Sequence, residues 1–187
     1  MKKTSKWMIA AGVLLLTASL CFVAVPEILH YFGAQQAAKT VAQIEATLPP
    51  RTGGVQDSYR VMQMPVLNVE GKDFVAVLEI PTYGVVLPVG NEWNTMALYQ
   101  HPCRFDGTAY DGSLMIGGSC KQLTCLKEVQ NGDVVRVTDM QGAIYTYTVS
   151  RIHRADHADK ETLNSDAALT LFAQDAANME YVIVECE

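Results

Sequence analysis

Cysteine is scarce in this sequence and follows no recognisable framework. There are five in 187 residues, an odd count, and no C-x-x-C spacing occurs. That argues against a disulfide scaffold and against a zinc ribbon. Histidine is scarcer still, with four. Basic residues thin out once the N-terminus is passed. Beyond residue 25 the chain holds eleven Lys plus Arg against twenty Asp plus Glu, so 11 − 20 = −9. So acidic a domain is a poor partner for nucleic acid or for an anionic lipid surface. Internal repeats and low-complexity tracts are absent as well. The length leaves room for one domain plus an appendage.

Charge is missing altogether from one stretch, Trp7 to Val25, which follows three lysines in Met1–Lys6. An apolar run of this length satisfies its backbone in hydrocarbon only as a helix, and about 20 residues span a bilayer. Lysines on the N-terminal side place that side in the cytoplasm. Two other readings compete. A cleaved signal peptide needs small residues at the cut site, and Ala24-Val25-Pro26 is poor for that. A lipoprotein site at Cys21 needs a small residue before the cysteine, where Leu20 stands. The expectation is therefore a cytoplasmic tail over 1–6, a transmembrane helix over 7–25 and a C-terminal domain outside. Residues 26–63 are expected to form a juxtamembrane helix and linker. Glu27 to Leu48 is rich in helix formers, Pro49-Pro50 stops the helix, and Gly53-Gly54 marks the linker. Sequence leaves open whether this helix is a stalk or packs on the domain.

From residue 64 to 187 the signals are those of strands. Phe74 to Ile80 follows a Glu70-Gly71-Lys72 turn, Pro81 and Pro88 bracket a short strand near Val85 to Leu87, and Leu114 to Ile116 is another. Val134 to Thr138 and Ala143 to Val149 face each other across Asp139-Met140-Gln141-Gly142, a hairpin signal. Leu169 to Phe172 and Tyr181 to Glu185 complete the set. Seven or more short strands point to a mainly β closed barrel or sandwich. Helices are minor: one over Leu123–Val129, with Leu123, Leu126 and Val129 on one face, and a turn or two within Glu92–Leu98.

Two of these strands carry a resemblance. Ala168-Leu169-Thr170-Leu171-Phe172-Ala173-Gln174 and Tyr181-Val182-Ile183-Val184-Glu185-Cys186 resemble the strand pair of sortases, the transpeptidases that attach surface proteins to Gram-positive envelopes. In that family the first strand, L-T-L-x-T-C, ends in the reactive cysteine, and an arginine opens the second. Leu114 to Cys120 resembles the strand that ends A-G-H-N. Further matching pieces are Leu78-Glu79-Ile80-Pro81, Val86-Leu87-Pro88-Val89, Pro102-Cys103-Arg104-Phe105 and Asn131-Gly132-Asp133-Val134. The resemblance is to the general, class B-like sortase domain, and it implies a sortase-type closed β-barrel with short helices.

It also implies a site whose chemistry is gone. Gln174 stands at the cysteine, Tyr181 at the arginine with acidic Glu180 beside it, and Ser119 at the histidine, or Gly118 if the alignment shifts by one residue. Sortase chemistry needs a thiolate, a histidine to protonate the leaving amine and a cation for the oxyanion. None of the three replacements supplies its function. Cys120 borders the vacant histidine position. It is the alternative nucleophile of an active cysteine transpeptidase or hydrolase, with a loop histidine, His153 or His157, approaching it. Those two histidines with Asp156 and Asp159 hint at a metal only weakly, since no helix aligns them; no metal or cofactor is expected. Cys103, Cys125 and Cys186 read as packing residues, with His101 near Cys103 in an extended segment.

The expected protein is a membrane-anchored extracellular member that binds a sorting peptide or surface protein, or assists an active sortase. Its groove candidates are Ser119, Cys120, Gln174, Glu180 and Tyr181. A structural envelope module is the remaining alternative.

Overall fold

The computed structural model describes residues 15, 35–48, 63–119, 121–163, 166–175 and 177–187. The chain divides between Gln36 and Ala37, and the second unit, Ala37–Glu187, holds the domain. Among the described residues no helix is long and apolar enough to cross a membrane. The span expected over 7–25 lies, Leu15 apart, outside them, as do the linker residues 49–62.

Nine strands follow in chain order: β1 (Leu67–Val69), β2 (Lys72–Ile80), β3 (Val85–Gly90), β4 (Cys103–Asp106), β5 (Leu114–Gly118), β6 (Val134–Asp139), β7 (Ile144–Ala155), β8 (Leu169–Gln174) and β9 (Tyr181–Cys186). Their order is β1-β2-β3-β4-β5-β8-β9-β7-β6. A further β2–β6 pairing closes β2 to β9 into an eight-strand barrel, with β1 laid on β2. Closure leaves few unpaired edges. Two neighbouring pairs are parallel. One is β5–β8, and the other is β3–β4, joined at a single residue pair, Gly90↔Cys103.

Alternation along each strand fills the barrel. Leu114 and Ile116 of β5, Leu169, Leu171 and Ala173 of β8, and Val182, Val184 and Cys186 of β9 all enter one buried core. Between them stand residues of the opposite face, as a period of two requires. The β6–β7 hairpin turns where its D-M-Q-G sequence predicts. Asp139 carboxylate accepts the Gln141 and Ala143 amides at 2.9 Å each, and Gly142 takes a positive φ of 83°. The expected Leu123–Val129 helix is shorter and tighter, a 3₁₀ turn over Thr124–Lys127. Its apolar face is as expected, since Leu123, Leu126 and Val129 are buried against the barrel core.

Of the helix over 35–47, the part within the second unit (α1, 37–47) is no detached stalk. Val41, Ile44 and Leu48 repeat at helical spacing and seat on Phe74 and Val77, the outward residues of β2. Ile44 is fully buried. Two other short helices sit outside the barrel, α2 (Thr95–Leu98) and α3 (Lys160–Leu163), the latter pressing Leu163 onto Met115, Phe172 and Ile183.

Ile44→Ala is therefore expected to lower the stability of the whole domain by about 2–5 kcal/mol. Urea unfolding of the full chain reads this as a lower midpoint of one transition. An unchanged midpoint would mean that α1 does not contribute to the fold.

Candidate functional site

The site is built on three adjacent strand ends. In the parallel β5–β8 pair, Gly117 lies opposite Phe172 and Gly118 opposite Ala173. In the antiparallel β8–β9 pair, Gln174 lies opposite Tyr181. Phe172 belongs to the outer cluster, so Gln174, two residues on, faces outward too. Tyr181 packs against that same cluster. On β5, Met115 is outward, and a β-carbon at Gly117 would lie 2.5 Å from Phe172 Cζ, also outside. A β-carbon at Gly118 would instead meet the inward Leu123 side chain at 2.8 Å. Ser119 follows directly after the end of β5. Cys120 lies outside the described residues.

Gln174 is tied down through its side chain and Ser119 through its main chain. Gln174 Nε2 donates to Met179 O at 3.1 Å. Ser119 O accepts the Gln122 and Leu123 amides at 3.1 Å, and the Gln122 side chain accepts the Ser119 amide at 3.3 Å. The β8–β9 turn is tied by Asp175 N to Glu180 O at 2.6 Å and Met179 N to Asp175 O at 2.8 Å. These bonds keep Met179 at a φ of 61°, a left-handed backbone uncommon for a non-glycine residue.

Asp175 is a residue that sequence reading missed. Its carboxylate is buried and meets Lys127 Nζ at 2.6 Å, Arg154 Nη1 at 3.2 Å and the Ala177 amide at 2.9 Å. The Lys127 ammonium above all, and then the Ala177 amide, hold its carboxyl down at about 2. Arg154 also lies 3.7 Å from Glu180 Oε2. Arg154 is the β7 partner of Val182, and its guanidinium lies beside Glu180, the residue before Tyr181. Two cations and two carboxylates balance there, and both cations are engaged. The sequence cue was modest: an acidic residue directly after position 174, with basic residues 48 and 21 positions upstream.

The other candidates are dispersed. His153 was expected in a solvated loop. It lies instead on β7, half-buried, with Nδ1 3.9 Å from Glu185 Oε1. The reason is pairing: β9 takes β7 as its second neighbour through Ala155, so the strand continues past Val149. His157 is exposed beyond the strand. His101 and Cys103 touch, Sγ to Nδ1 3.6 Å, although Pro102 separates them. Both are buried, and burial lowers the His101 pKa and raises the Cys103 thiol to about 12. Burial likewise lifts Cys125 to about 11 and Cys186 to about 12. Among the described residues no group of three His, Cys, Asp or Glu is placed to hold a metal ion.

An eight-strand mixed barrel with a cluster of strand ends at the mouth of its parallel pair defines the class to which this protein belongs. The family model for the sortase domain matches residues 78–185, and the chain belongs to the sortase family. Solved structures with the same fold include a Clostridium perfringens sortase D5 transpeptidase, 21% identical, covering 62% of this chain and 78% of that one at a TM-score of 0.54. Sortase A from Corynebacterium diphtheriae is 19% identical, covering 88% and 84% at 0.55. Clostridium perfringens sortase C with the C-terminal cell wall sorting motif is 18% identical, covering 73% and 77% at 0.53. No curated protein matches the chain.

The Asp175 cluster gives a pH test. Its folded-state pKa lies below the ordinary carboxyl value of about 3.9, so the pairing stabilises fully above about pH 4 and is lost as pH falls toward about 2. Asp175→Asn is expected to lower the urea midpoint at neutral pH, with the gap to wild type narrowing below about pH 4. A gap independent of pH would contradict an ionised, paired Asp175.

Proposed function

We propose that this protein is a membrane-anchored exterior sortase that no longer performs the family's chemistry and instead binds a sorting peptide or surface protein, or assists an active sortase. The observation that carries the reading is the identity of three side chains at adjoining strand ends, Ser119, Gln174 and Tyr181. A glutamine amide is no nucleophile, a serine hydroxyl exchanges no proton near neutral pH, and a phenol brings no positive charge to an oxyanion. Members of such a unit fail together, because what remains after losing one rescues little.

The surroundings support it further. The thiols of Cys103, Cys125 and Cys186 are all pushed up by burial, away from the thiolate that nucleophilic attack requires. Arg154 and Lys127 are taken up by Asp175 and Glu180. The ligand class is carried over from the Clostridium perfringens sortase C structure, which contains a cell wall sorting motif. The membrane anchor rests on the uncharged run Trp7 to Val25 and the three lysines before it.

The purified full chain is expected to bind sorting-motif peptides without cleaving them, and alkylation of accessible thiols should leave binding intact. Turnover that disappears on Cys120→Ala would overturn the reading in favour of an active enzyme. Restoring Ser119→His, Gln174→Cys and Tyr181→Arg together should recover weak acyl-enzyme, trapped as a peptide thioester by mass spectrometry. No single restoration should do so, because thiolate, imidazolium and guanidinium depend on one another. Adding Glu180→Gln should improve the yield by freeing the new guanidinium. A folded triple variant that never forms the thioester would favour a structural module.

A further inference from the structure

The connection from β3 to β4 begins and ends at one place. Gly90 pairs with Cys103, and Gly90 N donates to Pro102 O at 2.9 Å. Residues 91–102 are therefore a compact loop with joined ends, a form that is frequently functional. Its ends are firmly held. Asn91 N donates to Asp73 O at 2.8 Å, and His101 packs edge-on to Phe74 with ring centroids 5.0 Å apart. Its middle is held differently. Helix α2 has no buried residue, and Met96 and Tyr99 are 72% and 78% exposed. A cleft of about 320 Å³ separates the loop from the β1–β2 turn, between Lys72 and Asp73 on one side and Met96 and Ala97 on the other.

Across that cleft Lys72 Nζ donates to Gln100 Oε1, and one aromatic side chain ties the first half of the loop to the barrel. The Trp93 ring lies 4.9 Å from Phe105 and 5.6 Å from Phe172, centroid to centroid, and Phe105 and Phe172 meet at 5.5 Å. The indole can lie so close to β5 only because position 117 is glycine. A β-carbon there would come within 2.6 Å of indole Cη2 and Cζ3. This platform is on the same outward face as Gln174, two residues along β8 from Phe172. Even in this position Trp93 is 41% exposed. Aromatic pairs of this geometry add little beyond their burial, a hold small enough to be released and remade.

We infer that Trp93 is a latch. The loop 91–102 opens and closes as a unit, and in the closed form its indole covers an apolar platform of Gly117, Phe105 and Phe172 beside the candidate site. The occupant that replaces the indole is an apolar side chain of an extended peptide, which runs along the outward face toward Gln174. This rests on the peptide-binding reading above for the identity of the ligand. The latch itself does not require it, so the two fail separately.

The test uses the full chain carrying Trp7→Phe, which leaves Trp93 as its one tryptophan. Gly117→Ala places a methyl against both the indole and the Phe172 ring, so the protection of β8 is read in the second variant. Phe105→Ala removes its other support without touching β5. The latch predicts that acrylamide quenching of Trp93 rises about threefold in both variants, with emission shifted to the red. Amides of 91–102 should exchange faster together while those of β8 and β9 keep their protection. The apolar dye 1-anilinonaphthalene-8-sulfonate should bind the variants and not the parent, with near-ultraviolet dichroism otherwise native. Quenching and loop exchange at parental values in a folded variant would overturn the latch, whatever peptides do. If Gly117→Ala does not fold, Phe105→Ala decides. If both variants unlatch but sorting-motif peptides bind neither parent nor variant, the latch stands and the peptide-binding reading falls.

Discussion

Everything at the candidate site depends on the register of two strand pairings. β8 runs parallel to β5 from Leu114↔Leu169 to Gly118↔Ala173, and antiparallel to β9 from Leu169↔Cys186 to Gln174↔Tyr181. A shift of one residue in either would turn every side chain of that strand to the other face. The register is pinned by burial on both faces. Leu169, Leu171 and Ala173 must enter the barrel, while Phe172 must reach the cluster under Leu163. The side chains at positions 119, 174 and 181 take no part in these constraints.

The charges around Gln174 and Glu180 are also physically coherent. A developing oxyanion needs an uncommitted positive charge in a site sheltered from water. Here Lys127 and Arg154 are committed to a buried carboxylate one residue beyond Gln174. The Asp175 cluster binds the 3₁₀ turn, β7 and the β8–β9 turn together, so charge at this end of the barrel serves the fold. On the outward face beside it Trp93 packs with Phe105 and the buried Phe172, and no titrating group stands among the three rings.

The strands were largely legible in the sequence because each is a short β-rich run bounded by turn residues, and the D-M-Q-G turn needed no tertiary information. The apolar face of Leu123, Leu126 and Val129 was equally plain from its spacing. Three features were not legible, each because it depends on a distant partner. The docking of α1 requires knowing that β2 leaves Phe74 and Val77 facing outward. The placement of His153 requires knowing that β9 pairs with β7 as far as Ala155. The Asp175 cluster joins residues 21 and 48 positions apart. Within the candidate site the identities at 119, 174 and 181 came from the family resemblance, whereas the contact of Trp93 with Gly117 left no pattern in the chain. Cys103 was rightly read as a packing residue, though its contact with His101 was not foreseen.

The central claim is that this sortase barrel holds a peptide at the ends of β5, β8 and β9 without reacting with it. The most direct measurement is a titration of the isotope-labelled full chain with a sorting-motif peptide, followed by nuclear magnetic resonance of backbone amides and of the Gln174 side-chain amide. The account predicts saturable shifts centred on Ser119, Gln174 and Tyr181, with the peptide recovered intact. Shifts confined to another face of the barrel, or release of an amine-bearing peptide fragment during the titration, would contradict it.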